Sequence, residues 1–171
     1  MESLVNAIIN LFNGILALKF GKELVVFIIS LMPILELRGG LLAASLLHLN
    51  PVRAYIVSII GNILPVPFIL LFICKIIEWM EKCKIKSFNK FAKWLRKKVD
   101  KHKGQIEKYG YFGLTLFVGV PLPGTGAWTG CLIASLLKMN RKKAFISTML
   151  GVIMASIIMM IISYGILGNL I

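Results

Sequence analysis

The stretch PILELRGGLLAASLLHLNPVRAYIVSIIG, Pro33–Gly61, decides the fold, because it returns ninety residues later as PGTGAWTGCLIASLLKMNRKKAFISTMLG, Pro123–Gly151. No gap is needed, and eleven of the 29 aligned positions are identical. Leu and Ile matches come cheaply in an apolar chain. The matches Pro33/Pro123, Gly40/Gly130, Asn50/Asn140 and Gly61/Gly151, with the repeated Ala-Ser-Leu-Leu run, do not. Upstream, Lys19-Phe20-Gly21 is echoed by Lys108-Tyr109-Gly110 with a one-residue shift. Two copies of one unit are therefore expected, and internal symmetry of this kind marks many transporter folds.

What surrounds the copies fixes their solvent. The chain is 171 residues long, 58% hydrophobic and only 16% charged, with a mean hydropathy of +0.85. Ala54–Cys74 runs 21 residues without a charge and Ala144–Ile171 runs 28. Roughly 20 apolar residues cross a bilayer core of ~30 Å as helix. A water-soluble enzyme, a disordered tail and a disulfide scaffold are excluded. An all-α integral membrane protein is expected, since lipid offers open backbone groups no partners. The net charge of +13 is local: 12 of the 20 basic residues lie in Lys75–Lys108, and Lys138, Arg141, Lys142 and Lys143 add four more. Such runs report sidedness before they report nucleic acid, which is not expected as a partner. Cys74, Cys83 and Cys131 have no metal-ligand spacing, so neither a metal nor another cofactor is indicated. The opening Met1-Glu2-Ser3 lacks the basic start of a cleaved signal peptide.

Each unit reads as apolar half, breaker, apolar half, turn and long span. The halves are Leu24–Leu35 and Gly39–Leu49 in the first copy, Tyr111–Val120 and Gly130–Leu137 in the second. At about 8–12 residues, or ~12–18 Å, no half crosses alone. The breakers carry Pro33, Gly39 and Gly40 in one copy and Pro121, Pro123, Gly124, Gly126 and Gly130 in the other. With the Lys75–Lys108 linker in the cytoplasm, a full crossing by Tyr109–Leu137 would put Lys138–Lys143 outside, against the positive-inside preference. A re-entrant hairpin returns them. The expected architecture is an inverted repeat of re-entrant helical hairpin plus transmembrane helix, with the hairpin tips meeting near the midplane. One membrane domain, 1–171, divides into an interfacial or tilted N-terminal helix (1–18), repeat one (19–74), a basic amphipathic linker helix (75–108) suited to anionic lipid headgroups, and repeat two (109–171).

Glu36 is the one carboxylate inside an apolar segment, two residues from Arg38. Ionisable groups in a membrane are costly and mark pathways or coupling sites. Glu36 has two open uses: proton or ion coupling, or a structural role in a Glu36–Arg38 pair or at the N-terminus of the helix Leu37–Leu49. The second breaker, Pro121 to Gly130, leaves carbonyls and N–H groups outside regular helix, with Thr125 and Thr129 as hydroxyls and Trp128 as a stacking surface. Its glycines serve either a substrate pathway or plain helix contact. Asn62 either bonds across helices or lines the pathway. No catalytic constellation is present, so no enzyme is expected.

Pro33-x-x-Glu36-x-Arg38-Gly39, Gly61-Asn62 with Pro65 and Pro67, the run Pro121–Gly130, and the basic linker entering Glu107-Lys108-Tyr109-Gly110 together resemble the small multidrug export protein family. The resemblance covers nearly the whole chain and implies efflux of small molecules. The hairpin layout is more distantly similar to the DedA and VTT group, associated with lipid translocation and membrane homeostasis, although that group's acidic-proline signature has no clear version here. Three functions are carried forward: a proton- or ion-coupled exporter of an unknown small molecule, a lipid translocase, and a non-transporting scaffold. The setting expected is a prokaryotic plasma membrane, and a chain this small favours a homo-oligomer.

Overall fold

Proline, asparagine and glycine set where the helices stop. The computed structural model describes residues 5–7, 9, 13–16, 20–82, 93, 97, 104, 106, 108–122 and 124–166. The first long helix, α1 (Gly21–Leu31), ends at Met32, whose backbone is extended (φ −69°, ψ 136°) because it precedes Pro33. Then follow α2 (Glu36–Leu46), α3 (Pro51–Ile63) and α4 (Pro65–Lys82). The second unit has α5 (108–119), α6 (Ala127–Leu136) and α7 (Arg141–Met160), which widens into a π-helical turn at Ile161–Ile166. Among the described residues every regular element is helical.

The copies fold alike where their sequences match. Turn one closes α2 with Leu49 N–H donating to Ala44 C=O, and turn two closes α6 with Met139 N–H donating to Ala134 C=O. His48 and Lys138, ninety apart, take the same left-handed backbone at φ 50° and 53°. Asn50 Oδ1 then accepts from Val52 and Arg53 N–H, capping α3. Asn140 Oδ1 accepts from Lys142 and Lys143 N–H, capping α7. Sideways packing also repeats. In unit one Arg53 pairs with Glu23 at 3.4 Å; in unit two the corresponding Lys143 lies over the Tyr111 ring at 5.8 Å.

Gly39, Gly40 and Gly130, expected among the breakers, lie inside helices. The breaks are Met32–Leu35 and Val120–Gly126, where Pro33, Pro121, Gly124 and Gly126 do sit; Pro123 lies outside the described residues. The helical glycines make room. A Cβ on Gly40 would collide with Ser30 Oγ, and one on Gly130 would stand 2.6 Å from Val118 Cγ2. Gly61 and Gly151 repeat the device one helix over, each with a would-be Cβ 2.8 Å from a backbone carbonyl, of Phe27 and of Thr115. A backbone oxygen cannot swing aside. Gly61→Ala and Gly151→Ala should therefore each destabilise by about 1–3 kcal/mol, against the gain an exposed helical Gly→Ala brings. Thermal midpoints in detergent check this.

Two stretches are long and apolar enough to cross a membrane: Pro51–Met80 (30 residues) and Arg141–Gly165 (25 residues). The first joins α3 and α4 through Leu64 and outruns the expected Ala54–Cys74. Their outer faces are oily. Ile56, Ile60, Leu64, Phe68, Phe72 and Ile76 recur at helical spacing and are exposed, as are Ile146, Leu150, Ile153, Ile157 and Ile161. Water-soluble monomers rarely show patches of that extent. Each long helix starts at one turn and ends at the other. Near the end of α7, Tyr164 OH donates to Leu49 C=O (3.0 Å) and Ser45 OH donates to Ser163 C=O (2.6 Å). In α4, Cys74 S–H donates to Ser135 C=O (3.2 Å) beside turn two.

At the N-terminus, Val5 is fully buried in a cluster with Val25, Ile29, Leu35, Leu42 and Ala43, so this part of the chain packs on unit one. Most of the linker expected as an amphipathic helix lies outside the described residues.

Candidate functional site

Breaking a helix frees backbone groups at both sides of the break, and here one unit supplies the charges that satisfy the other. Glu36 opens α2 with a left-handed backbone (φ 51°), its N–H held by Met32 C=O. Its carboxylate reaches into the second unit. One oxygen accepts from Ala127 N–H (3.0 Å) and the other from Trp128 N–H (3.1 Å). These amides open α6, so Glu36 caps that helix and faces the positive end of its dipole.

Arg38, two residues on, holds the opposite side of the same break. Its guanidinium donates to Leu122 C=O, to Val120 C=O (3.1 Å) and to Thr125 Oγ1 (3.0 Å). Thr125 OH lies 2.8 Å from Leu122 C=O and 3.0 Å from Val120 C=O, within reach of donating to either. Val120 N–H still bonds back to Leu116 C=O, so these oxygens mark the frayed, negative end of α5. Glu36 is 5% exposed and Arg38 7%. An anion on a helix N-terminus and a cation on a helix C-terminus, both from one short segment, clamp the two ends of the second break.

Gly126 lies at the centre. It is the repeat counterpart of Glu36, ninety residues on. Its backbone (φ 139°) suits glycine, and a Cβ there would collide with the Glu36 carboxylate. Of the uses open to Glu36 in the sequence, a place at a helix N-terminus is met on the other copy: its carboxylate caps α6 rather than the helix Leu37–Leu49. A signal was present. The acid has a glycine as its counterpart, and only a missing side chain leaves room for both at one point.

Of the other expected residues, the clamp gathers Thr125 by its hydroxyl and Trp128 by its backbone N–H, while the Trp128 indole N–H finds no partner. Thr129 is buried in α6 just beyond. Asn62 is 2% exposed and its Oδ1 finds no partner. Gly40 faces Ser58, a would-be Cβ lying 3.1 Å from its Oγ. Beside the second break is a cavity of about 280 Å³, lined by Tyr109, Gly113, Phe117, Val120, Leu122 and Thr125 among others.

All-helical architecture, two apolar spans and oily outer stripes define a membrane protein, built around a charged clamp between two broken segments. The chain belongs to the family described as "Putative small multi-drug export protein", whose profile matches residues 36–158, more than two thirds of its length, beginning at Glu36 itself. No curated protein and no solved structure matches the chain.

Proposed function

We propose that the chain is a multi-pass secondary transporter that exports small molecules, with Glu36 as the proton- or ion-coupling group where two inverted, re-entrant hairpins meet. The single observation that carries this is the clamp: Glu36 and Arg38 from the first break hold both ends of the second. Opposed orientation is supported by the long helices, each running from one turn to the other. A re-entrant second hairpin keeps Lys138, Arg141, Lys142 and Lys143 on the cytoplasmic side with the basic linker of the cell membrane.

In this mechanism the clamp is a two-state latch. With Glu36 ionised, its two oxygens hold the start of α6. Protonation removes the charge that the helix end attracts, and the second break gains freedom to move. The cavity from Tyr109 to Thr125 then offers an apolar path with one hydroxyl at its inner end. A proton gradient drives transport only through such a difference between states. Proteoliposomes with an imposed pH gradient test this. Wild-type export should follow the gradient, and Glu36→Gln should lose that dependence; Glu36→Gln export with unchanged pH dependence would remove the coupling role. Movement of labelled lipid between leaflets, with no export, would replace the exporter with a lipid translocase.

A further inference from the structure

The two turns share a backbone but differ in what covers them. At turn one, Ser45 OH is taken by Ser163 C=O (2.6 Å) and Leu49 C=O by Tyr164 OH (3.0 Å), so the end of α7 closes that pole. At turn two the counterpart of Ser45 is Ser135, whose Oγ is buried and finds no partner. Ser135 lines an open cavity of about 320 Å³ between α4 and turn two, with Cys74, Lys75, Glu78, Lys138 and Arg141. Three cations stand there against one carboxylate. Among the described residues none of the four is ion-paired.

The cavity continues along the outside of the molecule. Leu70, Leu71 and Arg141 also line an apolar groove of about 400 Å³, completed by Pro67, Lys142, Phe145 and Ile146. Ile146 belongs to the oily outer stripe of α7. A cationic cup opening into an apolar groove on the membrane-facing surface matches a molecule with an anionic head and a hydrocarbon tail. We propose that this pole is a binding site for an anionic phospholipid, its phosphate held by Lys75, Lys138 and Arg141 at the mouth of the cavity, and one acyl chain lying over Leu70, Leu71 and Ile146. The site is independent of the Glu36 clamp. It does not require the chain to be an exporter.

The test uses the full chain in detergent, titrated with phosphatidylglycerol, phosphatidylcholine or inorganic phosphate, read by thermal midpoint and by native mass spectrometry. Phosphatidylglycerol should raise the midpoint and remain bound, and phosphatidylcholine should do neither. Lys138→Gln with Arg141→Gln should weaken phosphatidylglycerol roughly tenfold or more, as the loss of two charges near a headgroup requires. These residues are exposed, so folding is spared. Arg53→Gln, at the opposite pole, should leave binding unchanged. Equal binding of the two lipids, or wild-type affinity in the double variant, would overturn the proposal. A midpoint shift by inorganic phosphate matching that of the lipid would also overturn it, assigning a free-anion site.

Discussion

Glu36→Ala is expected to abolish export and to lower stability by about 3–5 kcal/mol, the range for removing one member of a buried charged arrangement. The substitution strips the two amides that open α6, at Ala127 and Trp128, of their acceptors. It also leaves the Arg38 guanidinium buried with neutral oxygens alone. A hydrogen bond to a charged group contributes about 1.5–3 kcal/mol, and the cost of its loss is that of a buried donor left unsatisfied, about 1–3 kcal/mol for each of the two amides. Glu36→Gln keeps one acceptor but turns an NH2 toward the other amide, so about half the loss is expected. Thermal unfolding of the three proteins in one detergent gives the order. An alanine variant that melts with the wild type would show that the clamp holds nothing.

Gly126→Ala carries the second large effect, for two separable reasons. At φ 139° and ψ −174° the backbone lies where only glycine is at ease, a strain of roughly 1–3 kcal/mol for any other residue. The added methyl would also enter the space of the Glu36 carboxylate. At least about 3 kcal/mol is expected in total, from strain and overpacking together. Gly124→Ala is the control. Its φ is 86°, but a Cβ there meets nothing within 4 Å, so strain alone acts. The double variant Glu36→Ala, Gly126→Ala isolates the collision. With the carboxylate gone, the glycine substitution should cost less than in the wild type, a coupling that additive sites cannot produce.

Much of this molecule was legible before any coordinates. Asn50-Pro51 and Asn140-Arg141, ninety residues apart, mark both turns in the sequence, and in the structure each Asn caps the long helix that follows. The half-helices were legible within a few residues. Gly39, Gly40 and Gly130 lie in helices rather than in the breaks, because a glycine that breaks a helix and a glycine that lets two helices touch look identical in sequence; only Ser30 beside Gly40 and Val118 beside Gly130, brought near by folding, tell them apart, while a Cβ on Gly39 would meet Leu35 one turn back. Glu36 and Arg38 were legible as important from cost alone. Apart from Thr125 Oγ1, their partners were not, because the oxygens and amides they bind are main-chain atoms of Val120, Leu122, Ala127 and Trp128, which side-chain identity does not encode. The anionic-lipid pole was hidden for a related reason. Lys75 stands 63 residues before Lys138 and meets it and Arg141 only when α4 reaches turn two.

The proposed transport rests on the two units facing opposite ways across the bilayer and meeting at Glu36. Side-specific labelling measures that directly. With Cys74, Cys83 and Cys131 replaced by serine or alanine, single cysteines at His48, Lys93 and Lys138 are treated with an impermeant maleimide in right-side-out and inverted vesicles. The account predicts that Lys93→Cys and Lys138→Cys react from the cytoplasmic face and His48→Cys from the other. Labelling of His48→Cys and Lys138→Cys from one common face, or of Lys138→Cys from the face opposite Lys93→Cys, would contradict it.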